Sequence, residues 1–226
     1  MSTVDMNKPS PRNVPQQSRS QQRVDLILNT AADLFAEVGY ETATTTAIAE
    51  RAGISIGSLY RYFSDKSTIL DALAARYCKE QGELFERVFT SDVVYLPLAV
   101  LLDRLVDPFL EMHSACPVYT HILLGTDGSA DINIAFASQE IEQEAVKRLT
   151  GIFQQWAPYL DREQVLVTAM LCRATTKALI SLRSSDPHAE QDEDFKAYLT
   201  AECKRMLLTY LEKTLGEDRS SKRRKL

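Results

Sequence analysis

Three side chains near the middle of the chain have the types and the spacing for nucleophilic chemistry. His113, Cys116 and His121 could pair a thiol with an imidazole, which is how many cysteine nucleophiles are activated. Pro117 interrupts this segment, and the sequence shows neither a glycine-rich oxyanion loop nor a cofactor motif beside it. A helical enzyme stays an alternative, but we expect the two histidines to line a pocket or a helix face.

A second group of residues carries hydroxyls. The stretch ISIGSLYRYF, residues 54–63, holds two serines, two tyrosines, one arginine and an internal glycine. A glycine inside a helix costs about 1 kcal/mol relative to alanine, so Gly57 is easier to explain if another molecule must approach the backbone. The threonine cluster Thr44–Thr46 comes just before and can cap a helix start. The pattern indicates close contact with a phosphate or a base edge.

Composition limits how such contacts can be made. The 226 residues carry a net charge of -5 and an isoelectric point near 5.3. Residues 1–90 hold ten basic against eleven acidic side chains. Bulk positive charge therefore cannot hold a nucleic acid, so any contact must be local. We expect the salt dependence of binding to be modest.

Cysteine usage and apolar runs point to the compartment. Cys78, Cys116, Cys172 and Cys203 are far apart, without a CxxC pair or a histidine at metal-ligand spacing. This pattern favours a reducing compartment and predicts neither a metal site nor a cofactor. The N-terminus lacks a signal-peptide pattern, and apolar runs such as 93–102 are shorter than a membrane span. We expect a cytoplasmic protein with no membrane partner.

Apolar periodicity predicts an all-α chain that starts with a small bundle. Its helices are expected from Ser18 or Ser20 to Gly39, from the threonine cluster towards Gly53, from Ser55 to about Phe63, and from Ser64 onward. The two short helices have the spacing of a helix-turn-helix. Helix starts at Thr45, Ser55 and Ser64 would present free N–H groups to phosphate.

The rest of the chain is also expected to be helical, and its last two helices carry unusual apolar surface. Residues 165–182 are apolar on almost every side, and a helix of that kind must be covered on every side. Together with the apolar stripe of the final helix, this predicts a two-fold homodimer closed by a four-helix bundle. The expected interface residues are Val167, Leu171, Ala174, Ala178, Leu199, Met206 and Tyr210.

Residues 31–73 resemble the tetracycline-repressor-like (TetR/AcrR) family of transcriptional regulators. The resemblance is carried by Ala32, Phe35, Gly39, Tyr40, the threonines before Ile48-Ala49, segments 52–55 and 57–63, and Lys66. Beyond about residue 90 only the length and the helical character are similar. The resemblance implies a three-helix helix-turn-helix domain that binds double-stranded operator DNA, followed by a larger helical domain for ligand binding and dimerisation.

The resemblance also implies which residues contact DNA. These are Thr44, Thr45, Thr46, Ser55, Ile56, Gly57, Ser58, Tyr60, Arg61, Tyr62 and Lys66. In the family, a hydroxyl at the position of Thr45 binds phosphate. Ser55, Gly57 and Ser58 match the positions where the recognition helix enters the major groove.

The remaining positions of this set include one departure from the family. Tyr60 and Tyr62 match tyrosines that contact phosphate or a base edge, and Lys66 matches a phosphate contact. Position 56, which is often Lys, Arg or Pro in the family, is Ile here. Ile56 therefore suggests an apolar contact with a thymine methyl group.

The predicted organisation has four parts. Residues 1–18 form a disordered arm, 19–66 the DNA-binding domain, 67–215 the ligand-binding and dimerisation domain, and 216–226 a flexible basic tail. Helix 66–89 links the two domains.

The function predicted from these features is a repressor released from its operator by a moderately apolar organic effector. Residues expected around the effector are Phe85, Phe89, Phe109, Met112, His113, Tyr119, Trp156 and Met170, although side chains with this spacing are often plain core. Besides the enzyme, a protein-interaction bundle without DNA binding remains an alternative.

Overall fold

The described part of the chain, residues 16–124, 132–185 and 192–216 in the computed structural model, is built from helices and contains no strand. The helices are α1 (Gln16–Val38), α2 (Thr45–Arg51), α3 (Ile56–Tyr60), α4 (Lys66–Val88), α5 (Leu98–Ala115), α6 (Val118–Leu124), α7 (Ile132–Trp156), α8 (Arg162–Ser185) and α9 (Glu193–Leu215). The all-α prediction is therefore confirmed. The basic tail and residues 1–15 of the predicted arm lie outside the described residues.

Several predicted bounds differ from the structure at helix ends. Residues 16–18, assigned to the arm, are the first turn of α1. The third helix ends at Tyr60 and not near Phe63, and a final turn follows it in which the backbone N–H groups of Tyr62 and Phe63 both donate to the Leu59 carbonyl. Helix α6 and a 3₁₀ turn at Val93–Tyr95 were not predicted. Both are too short for a periodic pattern.

A shared apolar core holds the first three helices together. Ile27 and Ala31 of α1, Ile48 of α2 and Leu59 of α3 are completely buried. Each such Leu or Ile contributes about 1.5–3 kcal/mol by leaving water. Helix α4 packs on α1 at one end and on α5, α6 and α7 further along, so it joins this small core to the larger one.

Helix α8 lies between α7 and α9 and leaves one side open. Leu166, Val167, Met170 and Leu171 are all exposed on it. By length and composition alone, the segment Arg162–Ser184 could cross a membrane. A core helix of a soluble bundle passes the same test, and α8 packs on four other helices, α5, α6, α7 and α9.

Candidate nucleic-acid interface and ligand cavity

The turn between α2 and α3 is shaped by a capped helix start and one glycine. Thr44 precedes α2, and its Oγ1 accepts a hydrogen bond from Ala47 N at 3.1 Å. After α2, Gly53 has a φ of +65°, a left-handed conformation that residues with a side chain rarely adopt. Ile54 N then donates to Ala49 O at 3.0 Å. The chain reverses in a short turn and packs α3 against α2.

One side of α3 anchors it to the core. Ser55 caps the helix, because its Oγ accepts a hydrogen bond from Ser58 N at 3.1 Å. Leu59 is fully buried, and Phe63 just beyond the helix is buried as well. These two apolar side chains fix the orientation of a helix of only five residues.

The other side of α3 is open. Ser55 and Ile56 are exposed, and Tyr60 is 51% exposed. A Cβ atom placed on Gly57 would meet no heavy atom within 4 Å, so packing within the chain does not require a glycine there. The exposed face of α3 therefore carries uncharged side chains, and at Gly57 an external group can reach the backbone.

Two tyrosines make side-chain contacts on this face. The hydroxyl of Tyr60 lies 3.2 Å from Thr45 Oγ1 and so links α3 to the start of α2. Arg61 donates a hydrogen bond to the hydroxyl of Tyr62 at 3.1 Å and lies 5.0 Å from the centre of its ring. The hydrogen bond from Arg61 lowers the pKa of Tyr62.

The predicted DNA-contacting residues lie at the start of α2, on α3 and the turn after it, and at the start of α4, and Tyr60 contacts Thr45 between α3 and α2. Exposed among them are Thr44, Thr46, Ser55, Ile56, Gly57, Tyr60 and Arg61. Half-buried among them are Thr45, Ser58, Tyr62 and Lys66. Their contact with DNA stays a prediction.

Helix α1 adds a cation to this surface that the sequence reasoning missed. The pKa of Tyr62 is lowered not only by Arg61 but also by a hydrogen bond from Ser20 and by the charge of Arg23. Arg23 and, one turn earlier, Arg19 are exposed on α1. Their four-residue spacing at the start of an amphipathic helix was the available signal.

Lys66 makes contacts within the chain. Its ammonium donates hydrogen bonds to Tyr40 O at 2.6 Å and Glu41 O at 3.1 Å, and lies 4.3 Å from the centre of the Tyr40 ring. An ammonium group has three N–H donors, so two of them already hold the loop after α1 to the start of α4. The phosphate contact implied for Lys66 would have to use the third.

The start of α4 differs from the prediction of a Ser64 cap. Asp65 is the N-cap, and its Oδ1 accepts a hydrogen bond from Thr68 N at 2.8 Å, while Thr68 Oγ1 accepts one from Asp65 N at 3.2 Å. Ser64 donates to the carboxylate of Asp65, and its Oγ lies 3.5 Å from Thr68 Oγ1, but among the described residues it accepts no bond from a helix N–H group. An ionised cap binds helix N–H groups more strongly than a hydroxyl. It also repels phosphate, so only the starts of α2 and α3 remain as neutral helix starts.

Arg76 connects the two domains directly. Its Nη1 donates to Asn29 Oδ1 of α1 at 2.6 Å, and its Nε donates to the hydroxyl of Tyr119 in α6 at 3.0 Å. One guanidinium on α4 therefore holds a helix of the small domain and a helix of the large one at the same time. A shift of either helix must stretch one of these bonds.

A cavity of about 50 Å³ lies inside the larger domain. It is enclosed by α4, α5, α7, α8 and α9 and is lined by apolar side chains, among them Phe85, Phe89, Phe109 and Phe153. Burial raises the pKa of the Cys172 thiol, which also lines it, to about 12. Drug-sized ligands occupy about 300–1,000 Å³, so a ligand would have to widen this cavity.

The cavity contains three of the eight residues predicted to surround an effector. Phe85, Phe89 and Phe109 line it, whereas Met112, His113, Tyr119, Trp156 and Met170 do not. Met170 is 52% exposed on the outer side of α8. Trp156 is buried in the apolar core, and Met112 is partly buried against that core. Helical periodicity identified these as apolar or aromatic positions, but it does not tell which neighbouring helix each one faces.

His113 and Tyr119 belong instead to a buried polar network. The hydroxyl of Tyr77 lies 3.4 Å from His113 Nε2, and Thr120 Oγ1 lies 3.2 Å from His113 Nδ1. Burial, with a smaller effect of the Arg173 charge, lowers the pKa of His113 to about 3. The ring is therefore neutral, and both nitrogens are engaged away from the Cys116 thiol, whose own pKa is raised by burial. The side chain of His121 lies outside the described residues.

The surface predicted for dimerisation is apolar and largely open. Exposed on it are Val167, Leu171, Ala174, Ala178 and Met206, and half-buried are Leu199 and Tyr210. Met206 is 56% exposed.

As for metals, the described residues contain no group of three or more His, Cys, Asp or Glu side chains that could hold an ion.

Two family models cover most of the described chain. Residues 27–73 match the model described as bacterial regulatory proteins, tetR family. Residues 97–211 match the model described as tetracyclin repressor-like, C-terminal domain. The chain belongs to the TetR family, and the family predicted from residues 31–73 is confirmed.

Curated relatives match this chain over part of their length. The chain is 34% identical over 82 residues to an uncharacterised HTH-type transcriptional regulator of Mycobacterium tuberculosis, covering 36% of this chain and 40% of that protein. It is 32% identical over 105 residues to the HTH-type transcriptional repressor KstR2 of Rhodococcus jostii, covering 45% and 50%. The chain thus spans half or less of the length of these relatives.

Solved structures share the fold along nearly the whole chain. The fatty acid degradation regulator FadR of Bacillus halodurans superposes with a TM-score of 0.62 at 18% identity, covering 89% of this chain and 97% of that one. FadR of Bacillus subtilis in complex with stearoyl-CoA gives 0.60 at 20%, covering 81% and 97%. The SmeT–triclosan complex gives 0.60 at 22%, covering 81% and 90%. At these identities the likeness is one of fold alone.

Proposed function

We propose that this chain is a homodimeric repressor that binds operator DNA through α2 and α3 and leaves it when an organic molecule binds inside the larger domain. The observation that carries the proposal is the open face of α3. There Ser55, Gly57 and Tyr60 are exposed while Leu59 anchors the helix from the other side. A helix presented in this way fits the major groove, with the N–H groups of α2 and α3 directed at phosphates.

Dimerisation is supported by the open apolar side of α8 and α9. Leu171 and Met206 are about half exposed, and such a contiguous apolar surface marks an interaction site. A two-fold dimer presents two copies of α3, and these would enter successive major grooves about 34 Å apart. One helix of five residues makes too few contacts to specify an operator alone.

The effector part of the proposal is supported by the cavity. It is small, so a ligand that enters must displace the side chains that line it, which include Phe85 of α4 and Phe89 just after it. The names of two structural neighbours record organic ligands, stearoyl-CoA and triclosan. By analogy, an organic molecule is the expected effector of this chain, and a metal ion is not.

Coupling between the two sites would run through α4. Widening the cavity displaces α4, which is bonded to the small domain through Arg76 and Asn29 and through Lys66 and the Tyr40 carbonyl. The ligand then shifts the population towards a state in which the two copies of α3 have the wrong spacing for DNA.

The test is binding to the DNA upstream of the chain's own gene. Mobility-shift and fluorescence-anisotropy titrations should give a saturable, sequence-dependent complex with two chains per operator. A screen of small molecules by thermal shift, followed by operator release, then identifies the effector. Failure to shift any such probe, even at low salt, would favour a protein-interaction bundle and contradict the proposal.

The enzyme alternative has its own test. Turnover of an acyl or thioester substrate that is abolished by Cys116→Ala would contradict the proposal. The neutral, fully engaged ring of His113 argues against that activity, because it is not available to activate the thiol. A repressor of this kind would act in the cytoplasm.

A further inference from the structure

One charged side chain reaches the apolar cavity. Arg173 of α8 is buried, and it lines the cavity together with Phe85, Phe109 and other apolar groups. A buried guanidinium is costly unless an anion and hydrogen-bond acceptors compensate it. Its place in the wall of the cavity therefore calls for a specific reason.

Glu142 of α7 now provides the anion. Arg173 Nε lies 3.0 Å from Glu142 Oε2, without the alignment of a hydrogen bond, and Nη2 donates to Oε1 at 3.3 Å. This is a side-on pairing of a guanidinium with a carboxylate, although neither contact is ideal. The Arg173 side chain is 9% exposed, whereas that of Glu142 is 26% exposed. The carboxylate therefore lies towards the surface and the guanidinium towards the interior.

Glu142 has a second cation. Lys177 Nζ lies 3.0 Å from Glu142 Oε1. If another carboxylate took the place of Glu142 on Arg173, Glu142 would keep this partner on the outer side of α8. The exchange would leave every charge in the group paired.

The buried stripe of α4 that leads to the cavity changes from polar to apolar along the helix. Tyr77, Gln81, Phe85 and Phe89 are four residues apart and so lie in one stripe of the helix. Gln81 is buried, and its Oε1 has no hydrogen-bond partner within the described part of the chain. Burial raises the pKa of Tyr77 at this end of the stripe, and the nearby charge of Arg173 offsets only part of that rise. Of these four side chains, the two phenylalanines line the cavity.

We propose that the effector is an organic carboxylic acid with an apolar body, whose carboxylate replaces Glu142 on Arg173 while its body lies between Phe85, Phe89 and Phe109. The role of the bound acid as an effector rests on the proposed function, whereas the existence of the carboxylate site does not. An apolar body matches the phenylalanines, and the present Arg173–Glu142 pair indicates that the guanidinium is placed to hold a carboxylate.

The probes are octanoate and octan-1-ol, which share a chain and differ in charge. Calorimetric titration of the full chain should show octanoate binding at least about tenfold more tightly than the alcohol, because only the acid pairs with Arg173. Arg173→Gln should reduce this preference to less than about twofold. Lys147→Met, which removes an exposed cation of α7 paired with Glu144, should leave the preference unchanged.

A second variant keeps the inference testable if Arg173→Gln does not fold. Glu142→Gln removes the competing carboxylate, so it should lower the melting temperature and yet raise the affinity for octanoate several-fold, with no change for octan-1-ol. A purely structural ion pair would give the first effect without the second. Equal binding of acid and alcohol, or failure of octanoate to bind, would overturn the inference.

Operator binding separates this inference from the proposed function. If octanoate binds with the expected preference but no operator complex forms, the carboxylate site stands and the repressor proposal fails. If an operator complex forms and the acid has no advantage over the alcohol, the repressor proposal stands and the carboxylate site fails.

Discussion

The helix-turn-helix unit and the α8–α9 surface expose opposite kinds of side chain. On α3 the apolar Leu59 is turned inward, and the open face carries hydroxyls and backbone. On α8 and α9 the open face carries Leu171, Met206 and similar residues. The first surface is suited to a hydrated, charged polymer, whereas the second is of the kind that another apolar surface covers. The exposed area of the two surfaces does not distinguish them, whereas the kind of side chain that each exposes does.

The largest effect is expected from breaking the apolar surface. Leu171→Glu places one charge per subunit in the expected interface, and two-fold symmetry doubles it. Burying those charges is costly, so we expect a monomer by analytical ultracentrifugation. Operator affinity should then fall by more than about 100-fold, because each α3 would bind its half-site alone.

The control is Tyr95→Glu, which adds the same charge at an exposed aromatic residue of the 3₁₀ turn, outside this surface. It should remain dimeric. A Leu171→Glu variant that is still a dimer would place the interface elsewhere on the chain.

A smaller effect is expected from the hydroxyl face. Tyr60→Ala removes an exposed ring and its hydroxyl from both subunits, and each lost base or phosphate contact is worth about 1–3 kcal/mol. Operator affinity measured by anisotropy should fall by about 100-fold, while the dimer and its melting temperature are preserved.

Tyr60→Phe refines this test, because it keeps the ring and loses only the hydroxyl that meets Thr45. Its loss should be less than about tenfold. Unchanged affinity in Tyr60→Ala would mean that α3 does not read DNA.

The same contrast explains what the sequence could predict. In α2 and α3 the decisive interactions are local, such as the Ser55 cap and the left-handed Gly53, so they follow from neighbouring residues. The cavity depends on which faces of five helices meet, and no local pattern specifies that. Arg173 was overlooked for this reason, since in the sequence it only interrupts an apolar run. The Asp65 cap was local and predictable, but Ser64 beside it has the same preference for caps.

Replacing Arg76 measures how much its hydrogen bonds to α1 and α6 contribute to stability. Arg76→Met should lower the free energy of unfolding by about 1–3 kcal/mol, because Asn29 and the Tyr119 hydroxyl lose a charged donor. Tyr119→Phe should cost about 1 kcal/mol. The double variant should be less destabilised than the sum of the two, by about 0.5 kcal/mol or more, in urea titrations. Strictly additive effects would mean that this bond does not couple α4 to α6.

The smallest and most discriminating effect is expected at Gly57. Gly57 and Gly82 are both exposed helical glycines at which an added Cβ would meet nothing within 4 Å. Replacing either with alanine should therefore stabilise the fold by about 0.5–1 kcal/mol, because alanine loses less conformational freedom in a helix. Only Gly57 lies on the α3 face, so only Gly57→Ala should also weaken operator binding, by about tenfold, through the methyl group that it pushes against DNA. If both variants are stabilised and both bind operator normally, the open backbone of α3 is not a contact surface, and the absence of a side chain there has no bearing on DNA binding.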